Sequence, residues 1–222
     1  ENNILKKEIE IIQYAIEESS KKKRNIINST IVKKIFDILE QFLKSKKLIC
    51  YGGTAINNIL PKNQQFYDKN IESPDYDFFS PNALESSIEL ADIYYKNGFD
   101  EVESKAGVHI GTYKVYVNFI PVADITQLDS ELFEQLQQNS IIKYGIYYAP
   151  ANYLRMSAYL ELSRPDGDVS RWEKVWKRLV LLNKNYPIEA YNCTIKDFIR
   201  TFDTPIDSLP LVYNIILNSI IK

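Results

Sequence analysis

The stretch Lys47-Leu48-Ile49-Cys50-Tyr51-Gly52-Gly53-Thr54-Ala55-Ile56-Asn57 changes character at its paired glycines. A short apolar run ends there, and a helix of one or two turns, Thr54 to Leu60, follows until Pro61 stops it. This is the pattern of a buried strand entering a tight turn and then a helix. At such a junction, free backbone N–H groups and the positive helix end face one point, where a polyphosphate can sit. Glycine suits the position because a Cβ would hold the phosphate away and because the turn can require positive φ. A Gly-Gly pair between strand and helix also serves as an ordinary structural turn, and this one is neither a P-loop nor a GxGxxG.

A polar, irregular stretch from Lys62 to Ser73 leads to Pro74-Asp75-Tyr76-Asp77-Phe78-Phe79-Ser80-Pro81. Asp75 and Asp77 are two apart on a predicted strand, so both carboxylates leave the same face, roughly 6.6 Å apart at Cα. Tyr76 and Phe78 point into the core. Paired acids at that separation can bridge or flank divalent ions, and Mg²⁺ favours oxygen ligands together with phosphates. A surface strand with solvated acids is the plain alternative, although two like charges on one face are unfavourable without a cation or basic partner. Asp166-Gly167-Asp168 repeats the spacing but reads as a turn after Pro165, and Lys177 stands where a calcium loop needs its final Glu. A third acid, Asp124, interrupts the apolar run Pro121-Val122-Ala123-Asp124-Ile125-Thr126. Buried there without partners it is costly. If its strand lies beside Asp75 and Asp77, three carboxylates converge and can hold two metals about 3.5 to 4 Å apart. Capping a turn is the structural alternative for Asp124.

Outward from this centre, Ile4 to Ile16 reads as an amphipathic helix that gives way to a charged loop, Glu17 to Arg24. Ser29 or Thr30 caps a second helix through Lys46, with Ile31, Ile35, Ile38, Leu39, Phe42 and Leu43 as its buried stripe. Ala83 to Asn97 forms a helix closed by Gly98. Extended segments follow over 99–105, 109–119 and 121–126, the middle one alternating through Tyr113, Val115, Val117 and Phe119. From Asp129 onward the pattern is helical: 130–139, 152–162, 171–183, 195–201 and 209–221. Strands with few helices between them imply a mixed or antiparallel sheet, so the class is α+β, one small sheet with helices packed on it. Residues 1–47 form N-terminal helices, 48–150 the sheet-bearing domain and 151–222 a helical region.

The 222 residues are 45% hydrophobic and 25% charged, which excludes fibrous, collagenous and low-complexity proteins. No window approaches the roughly 18 uninterrupted apolar residues of a membrane span, and the first residues show no secretory signal. Two cysteines, Cys50 and Cys193, are too few for a disulfide framework and imply a reducing compartment. The only methionine is Met156, so the sequence does not begin at an initiator and is expected to be part of a longer protein. A net charge of −2 gives no general attraction to nucleic acid, so any polyanion site must be local.

Gly52-Gly53-Thr54, then Asp75-Tyr76-Asp77 on a strand, then an isolated Asp124 on a later strand, resembles the signature of the DNA polymerase β-like nucleotidyltransferase superfamily. The wider phrases at 51–57, 74–80 and 111–115 resemble the catalytic subunits of poly(A) polymerases from large nucleocytoplasmic DNA viruses. So do Tyr159-Leu160-Glu161-Leu162-Ser163-Arg164-Pro165 and the run from Arg171 to Leu179. The resemblance covers about residues 48 to 182. Thr54 replaces the more usual Ser but keeps the hydroxyl. The long interval from Gly53 to Asp75 implies an insertion at Lys62 to Ser73, and family members are longer than this chain.

The resemblance implies a nucleotidyltransferase palm at 48–150 and a two-metal transfer of AMP from ATP to an RNA 3′ end. Asp75 and Asp77 would bind two Mg²⁺ or Mn²⁺ ions, Asp124 would bind one of them, and Gly52, Gly53 and Thr54 would hold phosphates. It also implies a viral protein in the host cytoplasm or virion, and it admits a homodimer. In the helix at 171–183, Trp172, Val175, Trp176 and Leu179 form a core stripe and Arg171, Lys174, Lys177 and Arg178 a basic one. Lys174 or Lys177 reaches the triphosphate or the RNA backbone, or else the face is merely solvated. Lys21-Lys22-Lys23-Arg24 reads as a solvated run, Tyr153 could stack on a base, and His109 is structural. Two other functions remain open: nucleotide transfer to tRNA, an oligonucleotide or a protein, and a catalytically silent RNA-binding subunit of the same fold.

Overall fold

Two helices, α1 (Asn2–Ile27) and α2 (Thr30–Lys46), lead into the sheet of this protein, whose computed structural model describes residues 2–27, 29–67, 74–164 and 167–188. The charged run after Glu17 does not end α1 as expected. Lys and Glu lose little side-chain freedom in a helix, and Glu18 pairs with Lys21 one turn on at 2.9 Å, so the helix continues. Ser29 caps α2 as predicted, its hydroxyl accepting the Val32 N–H at 3.2 Å. Val32, Ile35, Leu39, Phe42 and Leu43 form the buried face, while Ile31, predicted to join it, is exposed. Val32, Leu39 and Leu43 set the centre of the buried face to one side of Ile35, and Ile31, in the first turn, lies at its opposite edge.

Strand β1 (Ile49–Tyr51) runs directly into helix α3 (Gly52–Ile59), and a single 3-10 turn at Lys62–Gln64 follows Pro61. Then come β2 (Tyr76–Ser80), α4 (Ala83–Lys96), β3 (Val102–Ala106), β4 (Thr112–Val117), β5 (Ile120–Gln127) and α5 (Ser130–Gln138). A short hairpin, β6 (Ile141–Lys143) and β7 (Ile146–Tyr148), lies between the helices predicted at 130–139 and 152–162, where no strand was expected. Its two-residue turn is Tyr144-Gly145, both at positive φ, and a tyrosine in the place usually held by Asn or Asp hides the hairpin from a sequence reading. Helices α6 (Ala151–Ser163) and α7 (Trp172–Asn185) complete the elements, with a 3-10 turn at Val169–Arg171 between them. The predicted helices at 195–201 and 209–221, and Cys193, lie outside the described residues.

The seven strands form one mixed sheet in the order β3-β4-β5-β2-β1-β7-β6. β2 runs parallel to β5 and β1 parallel to β7, while the other neighbours are antiparallel. Alternation along β2 decides what each face carries. Tyr76 and Phe78 turn to α2, meeting Phe36 and Phe42 at ring separations of 6.3 and 6.5 Å. Leu90 and Tyr94 of α4 are fully buried in the same core, and the Tyr94 hydroxyl donates to the Ile35 carbonyl at 2.8 Å. α2 therefore shares its core with the sheet. The opposite face carries Asp77 and Phe79, whose ring stacks on Tyr51 at 4.0 Å and meets Tyr153 of α6 edge-on at 5.8 Å.

α6 and α7 are joined by a buried Arg155. Its Nε donates to Asn183 at 2.6 Å, and its other nitrogens donate to the Asn152 side chain and the Tyr186 carbonyl. A buried guanidinium needs several acceptors, and this one has them. Val175, Leu179 and Leu182 are the buried residues of α7. Trp176, predicted to belong to the core, is 55% exposed. Among the described residues no helix is long and apolar enough to cross a membrane.

Candidate active site

Gly52 is the residue on which the two sides of the site meet. Its φ is +72°, and a Cβ built there would stand 2.5 Å from Asp77 Oδ2. Conformation and proximity both exclude a side chain. One residue on, a Cβ at Gly53 would stand 2.7 Å from the Tyr67 hydroxyl and 2.8 Å from Arg178 Nη1. The turn at the N-terminus of α3 therefore lies closely between a carboxylate and a guanidinium. The Thr54 side chain also has a structural duty. It is buried and its hydroxyl donates to the Asp75 carbonyl at 2.5 Å, which fixes the entry to β2.

The sheet register brings the acids together. In the parallel pair β2–β5, Asp77 lies beside Asp124, and across the antiparallel pair β1–β2, Tyr51 lies beside Asp77. Asp75, two residues before Asp77, projects from the same face. Burial pushes the Asp77 carboxyl up to about 7, with the charges of Asp75 and Asp124 adding to the shift and Lys114 and Arg171 opposing it. Desolvation and then Asp124 raise Asp75 above the ordinary carboxylate range, against the pull of Lys114, Lys174 and Arg171. The Tyr51 hydroxyl, pushed up to about 12 chiefly by burial, is hydrogen bonded to Thr126 at 2.9 Å, and Thr126 to Thr112 at 3.0 Å.

Lys114, opposite Asp124 on β4, forms an ion pair with it. Among the described residues no three carboxylate, imidazole or thiol groups stand close enough to ligate one ion as they are placed. The Asp124 carboxylate is turned to an ammonium group instead. The donor set nonetheless fits divalent cations: three carboxylates on one sheet face, two with proton affinity raised by burial and then by the neighbouring acids, and a cationic side chain already on the third.

Asp75, Asp77 and the glycine turn line a cavity of about 310 Å³, and its other wall is made by Lys174, Arg171 and Arg178 of the α7 region, with Tyr67. Asp124 is not among the lining side chains. Nor is Lys177, which pairs with Glu173 at 2.6 Å and lines a neighbouring cavity of about 350 Å³ with Phe66, Tyr67, Lys174 and Arg178. Tyr67 is the wall residue that sequence reasoning did not single out, while Arg171 and Arg178 were placed on the basic stripe without being assigned to the nucleotide. Residues 171, 174 and 178 recur at i, i+3 and i+7, one helical face, whereas 177 falls off it. That spacing was the available signal. Tyr153 packs half-buried on Phe79, and His109 is exposed in the turn before β4.

A glycine turn opposite two alternate acids on the neighbouring strand, with a third acid on the next, is the arrangement of a DNA polymerase β-like nucleotidyltransferase fold, and the mixed sheet with flanking helices has that fold. The chain belongs to the poly(A) polymerase catalytic subunit family, which matches residues 37–168. A protein of African swine fever virus named poly(A) polymerase catalytic subunit is 32% identical over 185 residues, 80% of this chain and 38% of that protein. One of Acanthamoeba polyphaga mimivirus with the same name is 30% identical over 197 residues, 86% of this chain and 32% of that one. The crystal structure of the Megavirus polyadenylate synthase superimposes with a TM-score of 0.73 at 28% identity, over 86% of this chain and 39% of that one. The chain thus spans at most about two-fifths of the length of these relatives.

Proposed function

We propose that the chain carries the catalytic palm of a template-independent polynucleotide adenylyltransferase, which adds AMP from ATP to RNA 3′ ends. The reading rests on one observation above all: Asp77 beside Asp124 in the β2–β5 register, with Gly52 against the Asp77 carboxylate. Residues 48–150 are the palm, flanked by α1 and α2 before it and by α6 and α7 after it.

Asp75 and Asp77 would hold two divalent ions, Mg²⁺ or Mn²⁺, and Asp124 one of the two. Bound there, such ions offset the charge of the triphosphate and increase the acidity of the 3′-hydroxyl. The backbone N–H groups of Gly52, Gly53 and Thr54, at the start of α3, bind phosphate oxygens. Lys174 adds a positive charge on the facing wall, while Lys177, which faces outward, is assigned to the RNA backbone. Lys114 pairs with the Asp124 carboxylate on the sheet face and orients it. Thr54 keeps Asp75 in place through its carbonyl.

The test is incubation with an RNA primer, Mg²⁺ or Mn²⁺ and each nucleoside triphosphate separately. Long products from ATP alone are expected. Single additions would move the assignment to a different nucleotidyltransferase, and an active Asp75→Asn protein would overturn the site.

A further inference from the structure

The segment from Pro61 to Tyr67 is part of the long interval between the glycine turn and Asp75. It is tied to α3 by Asn57, whose buried Oδ1 accepts the N–H groups of Phe66 and Tyr67 at 2.8 and 3.0 Å. It is tied to α7 by Asn185, which donates to Gln64 at 2.8 Å, and by Arg178, whose Nη2 donates to the Tyr67 hydroxyl at 2.5 Å. The Arg178 guanidinium also lies over the rings of Phe66 and Tyr67, at 5.2 and 5.5 Å from their centroids. These contacts bring Nη1 against Gly53. Arg178 Nε is buried with no hydrogen-bond partner among the described residues, a donor awaiting an acceptor.

We propose that Arg178 receives the terminal phosphates of the nucleoside triphosphate and that Tyr67 is the positioning residue that holds it over Gly53. The assignment rests on the nucleotidyltransferase reading and adds the direction in which the triphosphate lies. Gly52 faces the carboxylates, and Gly53, about 3.8 Å further along the chain, faces the guanidinium. A triphosphate laid along the turn with its reacting phosphate at the acids therefore ends at Arg178. A guanidinium fork fits phosphate oxygens two at a time, and the aromatic rings beneath it limit its freedom before the ligand arrives. Lys174, 5.8 Å from the Tyr67 ring centroid, supplies a second charge on the same wall.

The experiment is calorimetric titration of the full chain with ATP, AMP and inorganic tripolyphosphate in the presence of Mg²⁺. Arg178→Gln should weaken ATP and tripolyphosphate by about ten- to a hundredfold and AMP by less than about twofold, with Arg178→Lys recovering part of the loss. Tyr67→Phe, which removes one hydroxyl, should weaken ATP and tripolyphosphate about three- to tenfold with the ligand-free melting temperature unchanged. A merely structural Tyr67 would move the melting temperature instead. If Arg178→Gln does not fold, Tyr67→Phe decides alone. Variants that bind tripolyphosphate as the unaltered chain does, or that lose AMP equally, overturn the proposal. An unaltered chain that binds none of the three overturns the adenylyltransferase reading itself.

Discussion

The two walls of the cleft are built by different means. The acidic wall stands on β2 and β5, adjacent strands in the middle of the sheet, where Phe78 and Ile125 are fully buried and the register sets Asp77 between Asp124 and Tyr51. The basic wall stands on the outer face of α7 and on the 61–67 segment, held by side-chain contacts such as Asn57 to Phe66 and Arg178 to Tyr67. The first is fixed by backbone pairing and the second by packing. A substitution in the first should therefore remove chemistry without moving structure, and one in the second should retune binding.

The sharpest way to break that contrast is Asp75→Asn or Asp124→Asn. If one ligand contributes on the order of 4 kcal/mol to the transition state, each lowers the rate of nucleotide transfer about a thousandfold while thermal unfolding stays in place. Primer extension and a melting curve check it together, and a large drop in melting temperature would show that the acids hold the sheet after all.

Next comes pH. The Asp77 carboxyl is raised from 3.8 to about 7 by burial, then by Asp75 and Asp124, with Lys114 and Arg171 opposing. The folded chain thus binds this proton more tightly than the unfolded one. The associated stability is fully present below about pH 3.8 and is lost as pH rises through about 7. Without divalent ions, Asp77→Asn should be more stable than the unaltered chain at pH 8, on the order of 2 to 4 kcal/mol, and should lack that part of the slope. Denaturant titrations at pH 5 and pH 8 measure it. Parallel curves for the two proteins at both values would place the shift elsewhere.

The basic wall gives smaller numbers. Lys174→Ala should raise KM for ATP roughly tenfold, the worth of one charge-assisted contact, with little effect on folding. Lys177→Ala, on the neighbouring cavity and already paired with Glu173, should change KM for ATP by less than about twofold. Steady-state kinetics on both variants separate the faces of α7, and equal effects would erase the distinction.

The same contrast explains what could be read from the sequence. Asp75, Asp77 and Asp124 were legible because alternation in an apolar strand leaves an acid on a definite face, and Gly52-Gly53 because few residues suit such a turn. Strand order was not legible, because parallel pairing of β2 with β5 is decided by the intervening α4 and hairpin rather than by either strand. The pairing of Tyr67 with Arg178 escaped notice because they are 111 residues apart and become partners only through the packing of α7 on α3. Trp176 was misplaced because its size suggested burial while the phase of Val175, Leu179 and Leu182 excluded it.

The sheet order carries a further consequence for synthesis. As the polypeptide leaves the ribosome, β1 and β2 can pair early, but β2 keeps a bare edge until β5 has emerged through Gln127, and β1 keeps one until β7 has emerged through Tyr148. The most buried strands of the molecule are therefore the ones left unprotected longest in the nascent chain, and a pause in translation between them would offer sticky edges to whatever is nearby.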